Sequence, residues 1–242
     1  MDQSPSPFRR VLLKLSGEQL AGQFESGIDA AFGAWLASEI KRVMDEGIEV
    51  VIMVGGGNYA RGAQLAGHGI SRVTADNIGM LATMMNALAL SDVFNANSVP
   101  ARALTNIRAD QVADQFTHRR AANDLRKKRV VIVAGGIGRP YVTTDTAAVA
   151  LALEMDCDVV LKATKVDGVY DADPSTNQDA KKLDAVSYEE AVANDAIKVM
   201  DKAALGMAME HHLPIIVFDA LQGGSIVDAA NDRSNGTRIG DR

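Results

Sequence analysis

The chain has 242 residues, 47% of them hydrophobic and 23% charged, a globular composition that excludes a disordered, collagen-like or coiled-coil chain. With 25 Lys and Arg against 31 Asp and Glu the net charge is −6, which argues against a nucleic-acid duplex as partner but leaves room for a locally positive mononucleotide site. A single cysteine, Cys157, excludes an internal disulfide and a multi-cysteine zinc site and fits a reducing compartment.

The first seven residues, Met-Asp-Gln-Ser-Pro-Ser-Pro, are polar and do not read as a signal peptide. Residues 1–8 are expected to form a disordered tail and residues 9–242 a single domain, because no linker or compositional break follows. A first apolar run, Val11–Leu15, ends in Ser16-Gly17. Asp29 is placed to cap a helix whose apolar residues Phe32, Trp35, Leu36, Ile40, Val43 and Met44 keep a 3.6-residue spacing until Gly47. Val50–Val54 runs into Gly55-Gly56-Gly57, and Ile78–Ala96 reads as a second helix rich in Met, Leu and Ala. Val99–Leu104 is a weaker strand, Asp110–Lys128 a third helix, and Val130–Val133 a strand ending in Gly135-Gly136. Thr146–Met155 is helical, Val159–Leu161 leads into Lys162-Ala163-Thr164, and Gly168–Asp184 is a loop-like excursion. Lys202–His212 is a helix, and Ile215–Phe218 a strand ending at Asp219. Short Val/Ile/Leu runs alternating with helices predict a three-layer α/β/α sandwich around a mainly parallel sheet. No uninterrupted apolar run reaches the 18 or so residues that span a bilayer, so a cytoplasmic protein with no membrane partner is expected.

Ligands of open parallel sheets bind outside the carboxyl ends of the strands, and here those ends carry Gly17, Gly55–Gly57 and Gly135, Gly136 and Gly138. One such cluster reads most simply as a tight turn. Three on one edge favour a polyphosphate site, where backbone N–H groups and helix N-termini meet an anion. Gly57 to Gly62 has the Walker A spacing, but Ala63-Gln64 stands where Lys-Ser/Thr is required. Gly55-x-Gly57-x-x-Ala60 followed by Asp76 imitates a dinucleotide fingerprint, yet Gly62, Gly67 and Gly69 interrupt the helix it needs, leaving that reading a minor alternative. Neither a His-Glu-x-x-His zinc motif nor a Gly-x-Ser-x-Gly elbow is present. Lys14 inside an apolar strand, Asp145 at a helix start, Lys162 and Asp201 each have an ordinary structural reading. Together they offer cations for phosphate charge and carboxylates for a lysine or a metal.

A set of motifs then resembles the bacterial uridylate kinases of the amino acid kinase superfamily, in nearly continuous register from about residue 9 to 240. They are Leu12–Glu18, Gly55–Asn58 with Arg61-Gly62, Asp76 with Gly79–Asn86, Thr143–Asp145, Asp158–Tyr170 with Asp173-Pro174, Lys198–Asp201 and Gly236-Thr237-x-Ile239. The resemblance implies transfer of the ATP γ-phosphoryl group to UMP, giving UDP and ADP in pyrimidine nucleotide biosynthesis. It implies Mg2+ held mainly through the ATP phosphates, with no direct protein ligand assigned and Asp201 near phosphates or metal. It places Lys14, Leu15, Ser16, Gly17, Gly57, Arg61, Thr164, Tyr170 and Asp173 on ATP, with Lys14, Ser16 and Gly17 meeting the transferred phosphoryl group, and it implies Lys14, Asp145 and Asp201 as catalytic residues, Asp145 orienting Lys14. Gly56, Asp76 and the segment Ile137, Gly138, Arg139, Pro140, Tyr141, Val142, Thr143 and Thr144 would hold UMP, with Asp76 on the ribose hydroxyls. A homohexamer activated by GTP and inhibited by UTP is also implied, and Ile78–Ala96 reads either as interface or as ordinary core. One stretch departs from the family: Gly136-Ile137-Gly138-Arg139-Pro140 replaces Gly-Thr-Gly-Asn-Pro, exchanging a hydroxyl and an amide for a methyl-rich chain and a guanidinium. The competing readings are a sibling kinase acting on a carboxylate or carbamate, and a noncatalytic oxyanion or nucleotide binder on the same fold.

Overall fold

A computed structural model describes residues 6–60, 65, 69–172, 176–177, 179–194, 197 and 199–241. Among the described residues nine strands form one sheet: β1 (Arg10–Leu15), β2 (Glu49–Val54), β3 (Ala101–Thr105), β4 (Asp114–Gln115), β5 (Val130–Ala134), β6 (Val159–Thr164), β9 (Ala185–Ser187), β10 (Ile215–Asp219) and β11 (Thr237–Gly240). Their order is β4-β3-β5-β2-β1-β6-β10-β11-β9. All neighbours are parallel except β10 and β11, so the sheet turns antiparallel only toward one edge. A separate two-strand ribbon pairs β7 (Val169–Tyr170) with β8 (Lys182–Leu183).

Side-chain alternation along the central strands divides the core in two. Val11, Leu13 and Leu15 of β1, with Val159, Leu161 and Ala163 of β6, face α2 (Ala30–Asp45), α3 (Arg72–Ala96) and α8 (Ser225–Ala230). Leu12 and Val160 face the other way, toward α4 (His118–Arg126), α5 (Thr144–Glu154), α6 (Tyr188–Ala193) and α7 (Lys202–Glu210). By that parity Lys14 and Lys162 fall on the α5 side. The predicted three-layer α/β/α architecture is the observed one.

Several boundaries differ from the sequence reading, each for a local reason. The helix expected from Ile78 starts six residues earlier in the chain, at Arg72, because the Ser71 hydroxyl accepts from Thr74 N and offsets the poor helix propensity of Val73 and Thr74. By length and composition α3 could cross a membrane, but its Met84, Ala87, Leu90 and Phe94 are buried in the core. The helix expected over Asp110–Lys128 is α4 alone: Thr117 caps it, and the preceding stretch supplies the short edge strand β4. The excursion Gly168–Asp184 is pinned at its ends by the β7–β8 ribbon and by the Thr237 hydroxyl, which accepts from Val169 N at 2.7 Å. Phe8, assigned to the tail, is buried in the core, and the Ser6 hydroxyl donates to Ala230 O at 3.0 Å, so packing begins ahead of residue 9.

Candidate functional site

The parallel strands β1, β2, β5, β6 and β10 all finish on one edge, and the site assembles there. Lys14 and Lys162 are register partners on adjacent strands, so their ammoniums project side by side into the buried layer beneath α5. Like charges directly opposite repel. Asp145, in the first turn of α5, resolves the conflict: its Oδ1 lies 2.7 Å from Lys14 Nζ and 2.5 Å from Lys162 Nζ. Burial works to raise the Asp145 carboxyl, but the two ammoniums outweigh it and hold the group below the usual carboxylate range. Burial, aided by the Lys14 charge, pushes Lys162 down to about 8. The cluster carries one net positive charge in a poorly solvated place, at the strand ends where the glycine loops converge.

Those loops pack backbone against backbone, which is why they are glycine. A Cβ on Gly17 would lie 2.6 Å from Gly57 N, and one on Gly56 would lie 2.7 Å from Gly79 O. The β2 loop is held from below by a buried amide pair: Asn86 Nδ2 donates to Gly55 O at 2.6 Å, and Asn58 Nδ2 donates to Asn86 Oδ1 at 2.9 Å. Ser16 caps α1 (Gly17–Leu20) in a capping box with Gln19. At four residues α1 supplies N–H groups but little macrodipole, whereas α5, with eleven residues, brings a substantial one to this edge.

Gly56, Gly57, Asp76, Gly136, Arg139, Val142 and Thr144 line one cleft, with Met80 and Thr83 forming its wall along α3. The Thr83 hydroxyl accepts from Gly135 N at 2.7 Å and fixes the β5 loop. Asp76 sits on α3 rather than at a strand end, which removes the dinucleotide geometry. Ile137, Gly138, Pro140, Tyr141 and Thr143 do not line this cleft, although Tyr141 N donates to Asp76 Oδ2 at 2.8 Å. Thr143 caps α5 and donates to Asp201. Asp201 also accepts from Ala204 N at 2.9 Å and from the Thr146 hydroxyl at 2.8 Å, so protein donors occupy both of its oxygens.

Leu15 is fully buried, and only its carbonyl reaches the edge, where it accepts from Gly55 N at 2.8 Å. On the far side of the cluster the Thr164 hydroxyl donates to Phe218 O at 3.1 Å, and Tyr170 donates to Asp167 at 2.7 Å. Asp167 and Lys182 line a second, more polar pocket with Phe218, Asp219 and Gly236. Arg61 and Asp173, both assigned to ATP, lie outside the described residues. Lys162 joins the site through the fold: on its own its position in the sequence has an ordinary structural reading. Its signal was its place near the end of an apolar strand, matching that of Lys14.

A divalent cation needs free oxygen donors. Among the described residues no three His, Cys, Asp or Glu side chains cluster to hold one; Asp145 gives Oδ1 to the two lysines, and both oxygens of Asp201 accept from protein donors.

Residues 9–219 match the amino acid kinase family. The chain is similar to a uridylate kinase from Rickettsia prowazekii (strain Madrid E), 46% identical over 234 residues that cover 97% of this chain and 96% of that protein. A uridylate kinase from Dichelobacter nodosus (strain VCS1703A) is 43% identical, with 99% of each chain covered. The crystal structure of a UMP kinase from Bacillus anthracis superposes with a TM-score of 0.92 at 40% identity, over 97% of both chains. The chain belongs to the amino acid kinase family, on the branch that holds the uridylate kinases.

Proposed function

We propose that the chain transfers the γ-phosphoryl group of ATP to UMP, giving UDP and ADP. The observation that carries this reading is the Lys14–Asp145–Lys162 cluster, which offers a desolvated positive charge between a glycine-lined cleft and a second polar pocket. A UMP phosphate oxygen, already ionised near neutral pH, attacks the γ-phosphorus as the bond to the β,γ-bridging oxygen breaks and ADP departs. The reaction needs no general base; the difficulty is bringing two anions together. Lys14 and Lys162 offset that repulsion at the transferred group, Asp145 holds them in place, and the N–H groups of Gly17 and Gly57 with Arg61 take the ATP phosphates, the Ser16 N–H being held by the Gln19 side chain.

Thr164, Tyr170 and Asp173 surround the ATP nucleoside, while Gly56, Asp76, Arg139, Val142 and Thr144 hold UMP in the cleft, with Asp76 on the ribose. Asp201 acts through Thr143 and Thr146, locking the start of α5 so that Asp145 meets both lysines. No side chain is assigned to hold Mg2+; bound through the ATP phosphates, it would offset part of their charge. A cytoplasmic homohexamer activated by GTP, inhibited by UTP and serving pyrimidine nucleotide biosynthesis completes the reading.

A coupled ADP-release assay with UMP, CMP and small carboxylic acids as parallel acceptors, with and without Mg2+, tests it. Turnover should require Mg2+ and favour UMP. ADP release at background with every acceptor, or a preference for a carboxylic acid, would overturn the assignment.

A further inference from the structure

Asp76 does not stand alone in the cleft. Arg72 Nε lies 2.9 Å from each of its carboxylate oxygens, one helical turn back on α3. Tyr141 N donates to Oδ2 at 2.8 Å from the loop between β5 and α5, so the link crosses from helix to loop. Tyr141 adopts φ 66°, in the left-handed region that tyrosine rarely takes, and its ring lies beneath the Arg72 guanidinium at 5.2 Å. The ring is exposed, so core burial does not account for this conformation. The N–H contact to Asp76 and the ring contact to Arg72 do.

We propose that Arg72 and Tyr141 are positioning residues that aim the Asp76 carboxylate at the 2′,3′-diol of the acceptor ribose and thereby set a preference for the ribonucleotide over its 2′-deoxy analogue. The inference rests on the reading of the cleft as the acceptor site. A carboxylate offers about four acceptor positions. Arg72 takes a position on each oxygen and the Tyr141 amide a second one on Oδ2, so the open position is on Oδ1 and belongs to a donor entering the cleft that Asp76 lines. The ribose 2′-hydroxyl is the donor we assign to it, and a deoxyribose lacks that group. An exposed i,i+4 ion pair contributes little to stability by itself. Its effect here is orientation: the Asp76 side chain is only 18% exposed and is gripped from two sides. The transferred group meets Lys14 and Lys162 on β1 and β6, away from α3, so the contribution belongs to acceptor affinity rather than to the chemical step.

Calorimetric affinities for UMP and dUMP test this in the wild-type protein, in Arg72→Met, which keeps the apolar stem, and in Tyr141→Gly. The last keeps the N–H, accommodates the positive φ and removes the ring, and its exposed loop position makes it informative should Arg72→Met fold poorly. The wild type should bind UMP at least about tenfold more tightly than dUMP. Arg72→Met should weaken UMP about tenfold and dUMP no more than about threefold, collapsing the ratio, with Tyr141→Gly moving it the same way by less. In steady state the Arg72→Met loss should fall on the KM for UMP, with kcat within about threefold. Equal losses for the two nucleotides, an unchanged ratio, or a wild type that binds both alike or neither would overturn the proposal. Absent phosphoryl transfer is read separately in the ADP-release assay and counts against the kinase reading alone.

Discussion

Two places in this molecule have the same composition, one carboxylate between two cations, and very different properties. In the first, Asp145 bridges Lys14 and Lys162, whose side chains are 8% and 10% exposed. In the second, Asp124 on α4 bridges Arg102 at 3.5 Å and Arg129 at 3.0 Å, whose side chains are 36% and 41% exposed. Water reaches the guanidiniums, and Asp114 takes up Arg102 and Arg120 as well. The hydrogen bond from Arg102 holds Asp114 below the usual carboxylate range and raises Arg102 in turn. That charge is spent on joining α4 to β3 and β4. The lysines are shielded from water and sit where strands end in glycine, so their surplus charge is strong and has backbone N–H groups beside it. Stoichiometry does not make a catalytic cluster; desolvation and position on the sheet edge do.

The comparison can be broken at either end. Lys14→Ala should fold as the wild type does yet lose about 100-fold or more in kcat, roughly 3 kcal/mol of barrier, the scale seen when one preorganised donor is removed. Melting and steady-state kinetics on the same preparation decide it, and near-wild-type turnover would sink the assigned role. Asp124→Asn should do the reverse. Removing the carboxylate leaves two guanidiniums without their buried partner, and because both keep contact with water the loss falls below the usual range for a buried pair, at about 2 kcal/mol. Chemical denaturation should register that loss while kcat with UMP stays within about threefold.

What was legible in the sequence followed from locality. β1, β2, β5, β6 and β10 could be read because each is a short run of Val, Ile and Leu ending in glycine or a polar cluster, and α2 because Asp29 and Gly47 mark its ends. Lys14 could be singled out as a charge inside such a run. Lys162 has the same local character, but its meaning lies in the register that places it beside Lys14, a relation between strands distant in sequence. The Asn58–Asn86 amide pair and the Thr83 contact to Gly135 are of the same kind: each residue reads as an ordinary loop or helix position until the fold brings the partners together. Arg72 and Asp76 are a further case: the helix read from Ile78 leaves both outside it, so their i,i+4 pairing emerges only with α3 starting at Arg72, and the Tyr141 contact across the cleft gives it a use.

The sharpest distinction between the two clusters is in how they respond to pH. Burial and the neighbouring Lys14 lower Lys162 from 10.5 to about 8 in the folded protein, while in the unfolded chain it keeps its ordinary value. Below pH 8 both states are protonated, and the cost of the buried charge is fully present. Between pH 8 and 10.5 the unfolded chain binds the proton and the native protein has released it, so stability rises with pH, by up to about 1.4 kcal/mol per unit. Activity runs the other way, because the released proton takes with it a charge that the phosphates require. The free enzyme's kcat/KM should therefore fall above pH about 8, approaching tenfold per unit, and the corresponding limb in kcat should lie higher, since bound phosphate favours the ammonium. Paired pH–rate profiles and thermal melts check the two slopes. Lys162→Met should remove both, at lower activity throughout, whereas Asp124→Asn should leave both in place. Stability and kcat/KM both staying level between pH 8 and about 10 would mean that the native protein keeps the Lys162 proton, and the contrast with the solvated arginines would then vanish.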